Sequence, residues 1–269
     1  MAHELAVRQW PIPSAQKTII IVHGGGEHAG RYEETARRLN REGFSVVAPD
    51  LRGHGRSPGQ RGHILRFEEY LEDVSACLQR DVPPAQRPPI LLGHSLGGLV
   101  CTYYAMAHPS TIRCLVLSSP LWGLNVPVPA WKHQLACVLS TGWPSFSMRR
   151  PVNAGEVLSH DPQVKARYLN DPLVHFKVSC RFYTEMRTRL EQLPQGLPRL
   201  TVPVLVLQAG DDRVASAEAT RRLFPFVGSA QKRLIVYDGF YHEILNEVDK
   251  ARVLQDLVAW LRTNAGVMS

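Results

Sequence analysis

Pro89-Ile90-Leu91-Leu92-Gly93-His94-Ser95-Leu96-Gly97-Gly98 decides how the rest of this chain is read. A short apolar run leads into a Gly-x-Ser-x-Gly, and Leu99-Val100-Cys101-Thr102-Tyr103-Tyr104-Ala105 continues as a helix-forming sequence. A serine on so sharp a strand-to-helix turn takes a strained backbone conformation that its surroundings must over-determine. Side chains two residues before and two residues after it would collide, which accounts for Gly93 and Gly97. The turn predicts a Ser95 hydroxyl lifted clear of a sheet. The Leu96 N–H faces the same space at a helix N-terminus, where partial positive charge favours an oxyanion. Between a buried-strand signal and a helix, the motif marks Ser95 as a candidate nucleophile and Leu96 as an oxyanion donor.

On either side of this turn the chain alternates strands and helices. Thr18-Ile19-Ile20-Ile21-Val22 is a continuous β-branched run of the kind buried on both faces of a sheet. Phe44 to Asp50, Cys114 to Leu117, Val204 to Leu207 and Leu234 to Tyr237 read as further core strands. Helices are expected from Arg31 to Arg41 and from Phe67 to Gln79, where Tyr70, Leu71, Val74 and Leu78 share a face. Another closes the chain with Val253, Leu254, Leu257, Val258 and Leu261. Such alternation predicts an α/β fold, a mostly parallel central sheet flanked by helices, with ligands at the carboxyl ends of its strands. The alternation lapses from Leu121 to Pro198, a stretch rich in Trp and Pro without an apolar strand run. Helical segments such as Ala130 to Leu139 fill it, with Trp131, Leu135, Val138 and Leu139 along one face. The expected organisation is a core of residues 1–120 and 199–269, with a helical cap, 121–198, inserted over the active end.

Composition narrows the function classes. Of 269 residues, 44% are hydrophobic and 20% charged, as in ordinary globular proteins. No apolar run approaches the ~18 residues that cross a bilayer, and the N-terminus lacks the basic-then-apolar layout of a signal peptide. Cys77, Cys101, Cys114, Cys137 and Cys180 are odd in number, widely spaced and without a CxxC, so reduced thiols and a cytoplasmic location are expected. The formal charge of +7 comes mainly from scattered arginines, and no basic, aromatic-interleaved stripe points to nucleic acid.

A neutral serine hydroxyl needs a base. Among eleven histidines, His242 follows the last core strand in a loop at the active end, which makes it the candidate. His94 sits beside the serine but is expected to point elsewhere, and His23, His28, His54 and His63 read as structural hydrogen-bonding residues. The imidazole in turn needs a carboxylate to set its tautomer. Asp211 and Asp212, after the fifth core strand, both qualify, and the residues alone leave that choice open; Asp238 is a weaker rival, only four residues before His242. The Gly24-Gly25-Gly26 run after the first core strand suits a second oxyanion donor, with Gly25 the candidate, because bare backbone can approach a substrate closely. No metal or organic cofactor is called for.

Taken together, these segments resemble the monoacylglycerol lipase and lysophospholipase branch of the serine α/β-hydrolases. The likeness rests on His23-Gly24-Gly25-Gly26-Glu27-His28-Ala29-Gly30-Arg31-Tyr32, Asp50-Leu51-Arg52-Gly53-His54-Gly55-Arg56-Ser57, Gly93-His94-Ser95-Leu96-Gly97-Gly98, Asp211-Asp212-Arg213 and Tyr241-His242. They span nearly the whole chain. The resemblance implies an α/β-hydrolase fold, Asp212 as the acid, and a lid over an acyl-chain tunnel. It also implies a serine ester hydrolase that releases a fatty acid from monoacylglycerol or a similar monoacyl lipid. Apolar residues from Trp122 to Phe146, Val126 among them, are expected to line the tunnel and touch a membrane or micelle surface. Two departures stand out: Ala209 where the family has glycine, with Gly210 one place later, and only about sixteen residues for the N-terminal hairpin. A broad-specificity esterase, a lysophospholipase, a thioesterase or a serine peptidase is the alternative on this scaffold. A catalytically idle ligand-binding relative fits less well, since no triad or oxyanion residue is lost.

Overall fold

The apolar runs become the strands of one sheet. The structure, a computed structural model, describes residues 4–125, 128–149 and 157–265. Seven strands, β1 (Val7–Trp10), β2 (Lys17–Val22), β3 (Phe44–Pro49), β4 (Ile90–His94), β5 (Leu115–Ser118), β8 (Val204–Ala209) and β9 (Lys232–Tyr237), lie in the order β1-β3-β2-β4-β5-β8-β9. All neighbours are parallel except β1, which pairs antiparallel with β3 at the edge, Val7 opposite Pro49. This edge strand is four residues long and half-exposed, so it carries no apolar run to announce it.

Alternate residues of the central strands feed two cores. Ile20, Val22, Leu91, Leu115, Leu117, Val204 and Val206 face one side, while Ile19, Ile21, Ile90, Leu92, Val116, Leu205 and Leu207 face the other. Burial on both faces is why these strands read as continuous rather than alternating runs. Helices α2 (Glu68–Asp81) and α3 (Leu96–Ala107) cover the first side. On the second, α1 (Glu33–Arg41) and α7 (Lys250–Asn264) insert Leu39, Val253, Leu257 and Leu261. The strand order and the helices on both faces are those of an α/β-hydrolase fold.

Between β5 and β8 the chain leaves the sheet and forms α4 (Ala130–Gly142), β6 (Ser147–Arg149), α5 (Pro162–Asn170), β7 (Lys177–Ser179) and α6 (Cys180–Gly196). The sequence predicts helices alone here; β6 and β7 instead pair antiparallel across three rungs. Ser-Met-Arg and Lys-Val-Ser are too short and too polar to signal strands, and the pairing depends on chain return rather than on local pattern. Helix α6 sends Phe182, Met186 and Leu193 into the same cluster as Ile20 and Leu91. Trp122, expected among tunnel-lining residues, is instead buried, and its Nε1–H donates to Thr102 Oγ1 at 3.1 Å. Val126 lies outside the described residues.

Candidate active site

Ser95 ends β4 and opens α3 with φ +52° and ψ −118°, a conformation costly for a non-glycine residue. Its backbone is clamped: the N–H donates to Ser118 O at 3.1 Å, and the carbonyl accepts from Leu99 N and Leu121 N. A Cβ on Gly97 would stand 2.2 Å from Val22 O, and one on Gly93 would stand 2.5 Å from Gly97 O. Both contacts are with backbone, so only glycine fits either place.

From loops after two other strands come the histidine and the carboxylate. His242 Nε2 lies 2.9 Å from Ser95 Oγ, and its Nδ1 lies 2.8 Å from Asp212 Oδ2. With the proton on Nδ1 donated to Asp212, Nε2 is left to accept from the serine hydroxyl. The second Asp212 oxygen accepts from Val214 N at 2.8 Å and Ala215 N at 2.9 Å, which locks the carboxylate. Asp211, the neighbour that the residues alone did not separate from it, is exposed, and its N–H donates to Phe240 O. The Ala209-Gly210 departure has a local cause. Ala209 is a buried rung opposite Tyr237, whereas a Cβ at 210 would stand 2.8 Å from Asp238 Cα. The ring of His242 titrates above an ordinary histidine: burial pushes it down, but the Asp212 charge and hydrogen bond, with Glu243 and Glu27 beyond, outweigh burial.

Gly25 and Leu96 both line the space in front of Ser95. Leu96 is the first residue of α3, in the turn whose N–H groups have no intrahelical acceptor. The glycine loop is held on two sides. His23 donates from Nδ1 to Gly24 O at 2.7 Å while its Nε2 accepts from Leu51 N, and Gly24 N–H donates to Glu27 Oε1 at 2.6 Å. His28 caps the following turn through Gly30 N and contacts Asp171, and His63 Nδ1 lies 2.8 Å from Ser179 Oγ. His94 does turn away from the serine, with Nδ1 at 3.0 Å from Ser118 O. Its ring nevertheless packs 4.8 Å from that of His242, and burial, then the neighbouring His242, hold it down to about 4.

Residues the sequence reading passed over stand behind this chain. Glu27 Oε2 accepts from Arg31 at 2.5 Å, and Arg31 makes two parallel hydrogen bonds of 2.7 Å to Glu243. Tyr32 Oη–H donates to Glu27 Oε1 at 2.8 Å. Loop charges normally read as solvated, and the only signal was that Glu27 and Arg31 fall within the HGxGEHxGRY segment.

A cavity of about 540 Å³ opens from Ser95, within the roughly 300–1,000 Å³ of small-ligand sites. Its walls are chiefly apolar: Leu121, Leu124, Trp131 and Leu135 on one side, Phe182 and Met186 on another. A serine, an imidazole and a carboxylate in hydrogen-bonded sequence at the mouth of an apolar cavity can activate a hydroxyl against a bound acyl group.

Fold and site thus define a serine hydrolase of the α/β-hydrolase class. The model of the family described as serine aminopeptidase, S33, matches residues 13–249. The chain is 34% identical over 255 residues to a monoacylglycerol lipase of Mycolicibacterium smegmatis, covering 93% of this chain and 90% of that one. It is 32% identical to the phospholipase YtpA of Bacillus subtilis, covering 91% and 95%. The crystal structure of the Paleococcus ferrophilus monoacylglycerol lipase superposes with a TM-score of 0.90 at 33% identity, covering 97% of this chain and 99% of that one. The chain belongs to this family of serine hydrolases.

Proposed function

We propose that the protein is a serine ester hydrolase that releases a fatty acid from monoacylglycerol or a similar monoacyl lipid. In this reading Ser95 Oγ attacks the ester carbonyl carbon while His242 Nε2 takes the hydroxyl proton, and Asp212 holds the imidazolium. The N–H groups of Gly25 and Leu96 hold the oxyanion. His242 returns the proton to the departing alcohol, leaving an acyl group on Ser95. Water, deprotonated by the same imidazole, then releases the fatty acid and regenerates the serine. The observation that carries the reading is the Ser95–His242–Asp212 chain opening into an apolar cavity large enough for an acyl chain. Residues 121–198 act as a lid, since Leu121, Leu124, Trp131 and Leu135 supply one wall of that cavity. Exposed Trp131, Val138 and Trp143 give the lid an apolar surface to lay on a membrane or micelle. No helix among the described residues is long and apolar enough to cross a membrane. Four of five free cysteines are buried, which fits a reducing, cytoplasmic setting.

The test is hydrolysis of a panel of monoacylglycerols, lysophospholipids, triacylglycerols, p-nitrophenyl esters and aminoacyl amides. Monoacyl esters lead the panel, and Ser95→Ala loses roughly 10³-fold or more in turnover while staying folded. Preference for amides or thioesters, or appreciable turnover by Ser95→Ala, overturns the reading.

A further inference from the structure

Arg31 occupies the meeting point of three parts of the molecule that the sheet does not hold together. On one side it binds Glu27, whose other oxygen accepts the Gly24 N–H immediately before the candidate oxyanion donor. On another it grips both oxygens of Glu243, the residue after His242 and 212 positions away in sequence. Above it lies the ring of Tyr168 on α5, 4.6 Å from the guanidinium carbon. All three charged side chains are nearly inaccessible, at 10%, 5% and 4% exposure.

Such a buried ion group is a weak source of stability, because desolvation offsets much of its attraction and apolar replacements often serve as well. What a two-bond guanidinium–carboxylate contact supplies is fixed geometry. Strand β2 is four places from β9 in the sheet, so strand pairing alone sets the two loop tips only loosely. We propose that Arg31 is a positioning residue, fixing the Gly24–Gly26 loop against the His242 loop so that oxyanion donors and base address the same carbonyl. The proposal rests on the ester-hydrolase reading above. It assigns Arg31, Glu27 and Glu243 no contact with substrate.

The titratable groups that act on His242 are Asp212 after β8, His94 at the elbow, Glu27 from the loop after β2 and Glu243 beside it, with Arg31 bound to both glutamates. Two carboxylates share one arginine, and the surplus negative charge favours the imidazolium.

The experiment is steady-state kinetics on p-nitrophenyl acetate, whose acyl group is too short to use the cavity walls, for Arg31→Lys, Glu243→Leu, Glu27→Gln and the double variant of the last two. Lysine keeps the charge but lacks the fork, so Arg31→Lys loses kcat by about tenfold or more with KM within about twofold. Glu27→Gln and Glu243→Leu interrupt one linkage, so their combined loss in kcat is well below the product of the single losses. Glu243→Leu also moves the acid limb of the kcat/KM profile to lower pH, because a charge favouring the imidazolium is gone. Melting temperatures run alongside. If Arg31→Lys does not fold, Glu243→Leu, which leaves Arg31 paired with Glu27, decides the matter. Variants that lose only melting temperature, with kcat and acid limb unchanged, overturn the proposal, as does multiplicative loss in the double variant. If Ser95→Ala is inactive while Arg31→Lys works normally, the proposal fails and the ester-hydrolase reading stands; an active Ser95→Ala removes that reading instead.

Discussion

Asp212 and Asp211 are neighbours with the same chemistry, yet only one is buried against His242 and locked by two backbone amides. The difference predicts unequal damage from one conservative change. Asp212→Asn removes the acceptor that keeps the proton on Nδ1, and kcat on p-nitrophenyl butyrate falls by up to ~10⁴-fold. Asp211→Asn, on the surface, changes kcat less than about twofold. A damaging Asp211→Asn with a mild Asp212→Asn reverses the assignment. The residue pattern placed both carboxylates at the end of the same strand, and no local rule separates them. Burial separates them, and burial follows from how the loops after β8 and β9 pack.

At the scale of the element, α4 shows what periodicity leaves undecided. Trp131, Leu135, Val138 and Leu139 form the helical stripe the spacing predicts, but Ala136 and Ser140 are its buried positions. Trp131, Leu135 and Val138 are 62%, 45% and 71% exposed. Of the stripe, Trp131 and Leu135 border the cavity. If acyl chains lie along that wall, each buried CH₂ contributes about 0.8 kcal/mol, and kcat/KM climbs several-fold per methylene pair until the cavity is full. Trp131→Asp then depresses turnover of long-chain monoacylglycerols much more than that of p-nitrophenyl acetate. Equal losses on the two, or a flat chain-length profile, reduce α4 to packing and shift the function toward a general esterase.

At the scale of the whole molecule, buried histidines tie folding to pH. His94 protonates near its ordinary 6.5 in the unfolded chain but only at about 4 in the fold. As pH falls the unfolded chain takes up that proton first, so the stability present above 6.5 is lost between about 6.5 and 4, an effect of the order of 3 kcal/mol. His23, pushed down by burial, acts in the same direction. His242, raised, opposes both by gaining a proton in the fold first. Three lowered histidines, the partly buried His63 included, against one raised predict a melting temperature that declines from pH 7 to pH 4.5, and replacing His94 by Gln flattens the decline; an unchanged slope in that variant removes His94 as the cause. Sequence by itself determined the sheet of parallel strands, the strained serine turn and the loop that carries His242, because apolar periodicity and turn sterics act over a few residues. Tertiary structure alone buried Asp212 while leaving Asp211 exposed, buried Glu27, Arg31 and Glu243 in one ion group, and put Ala136 and Ser140 on the inner face of α4. Each of these depends on where loops far apart in sequence converge, and that convergence is a property of packing which no local pattern contains.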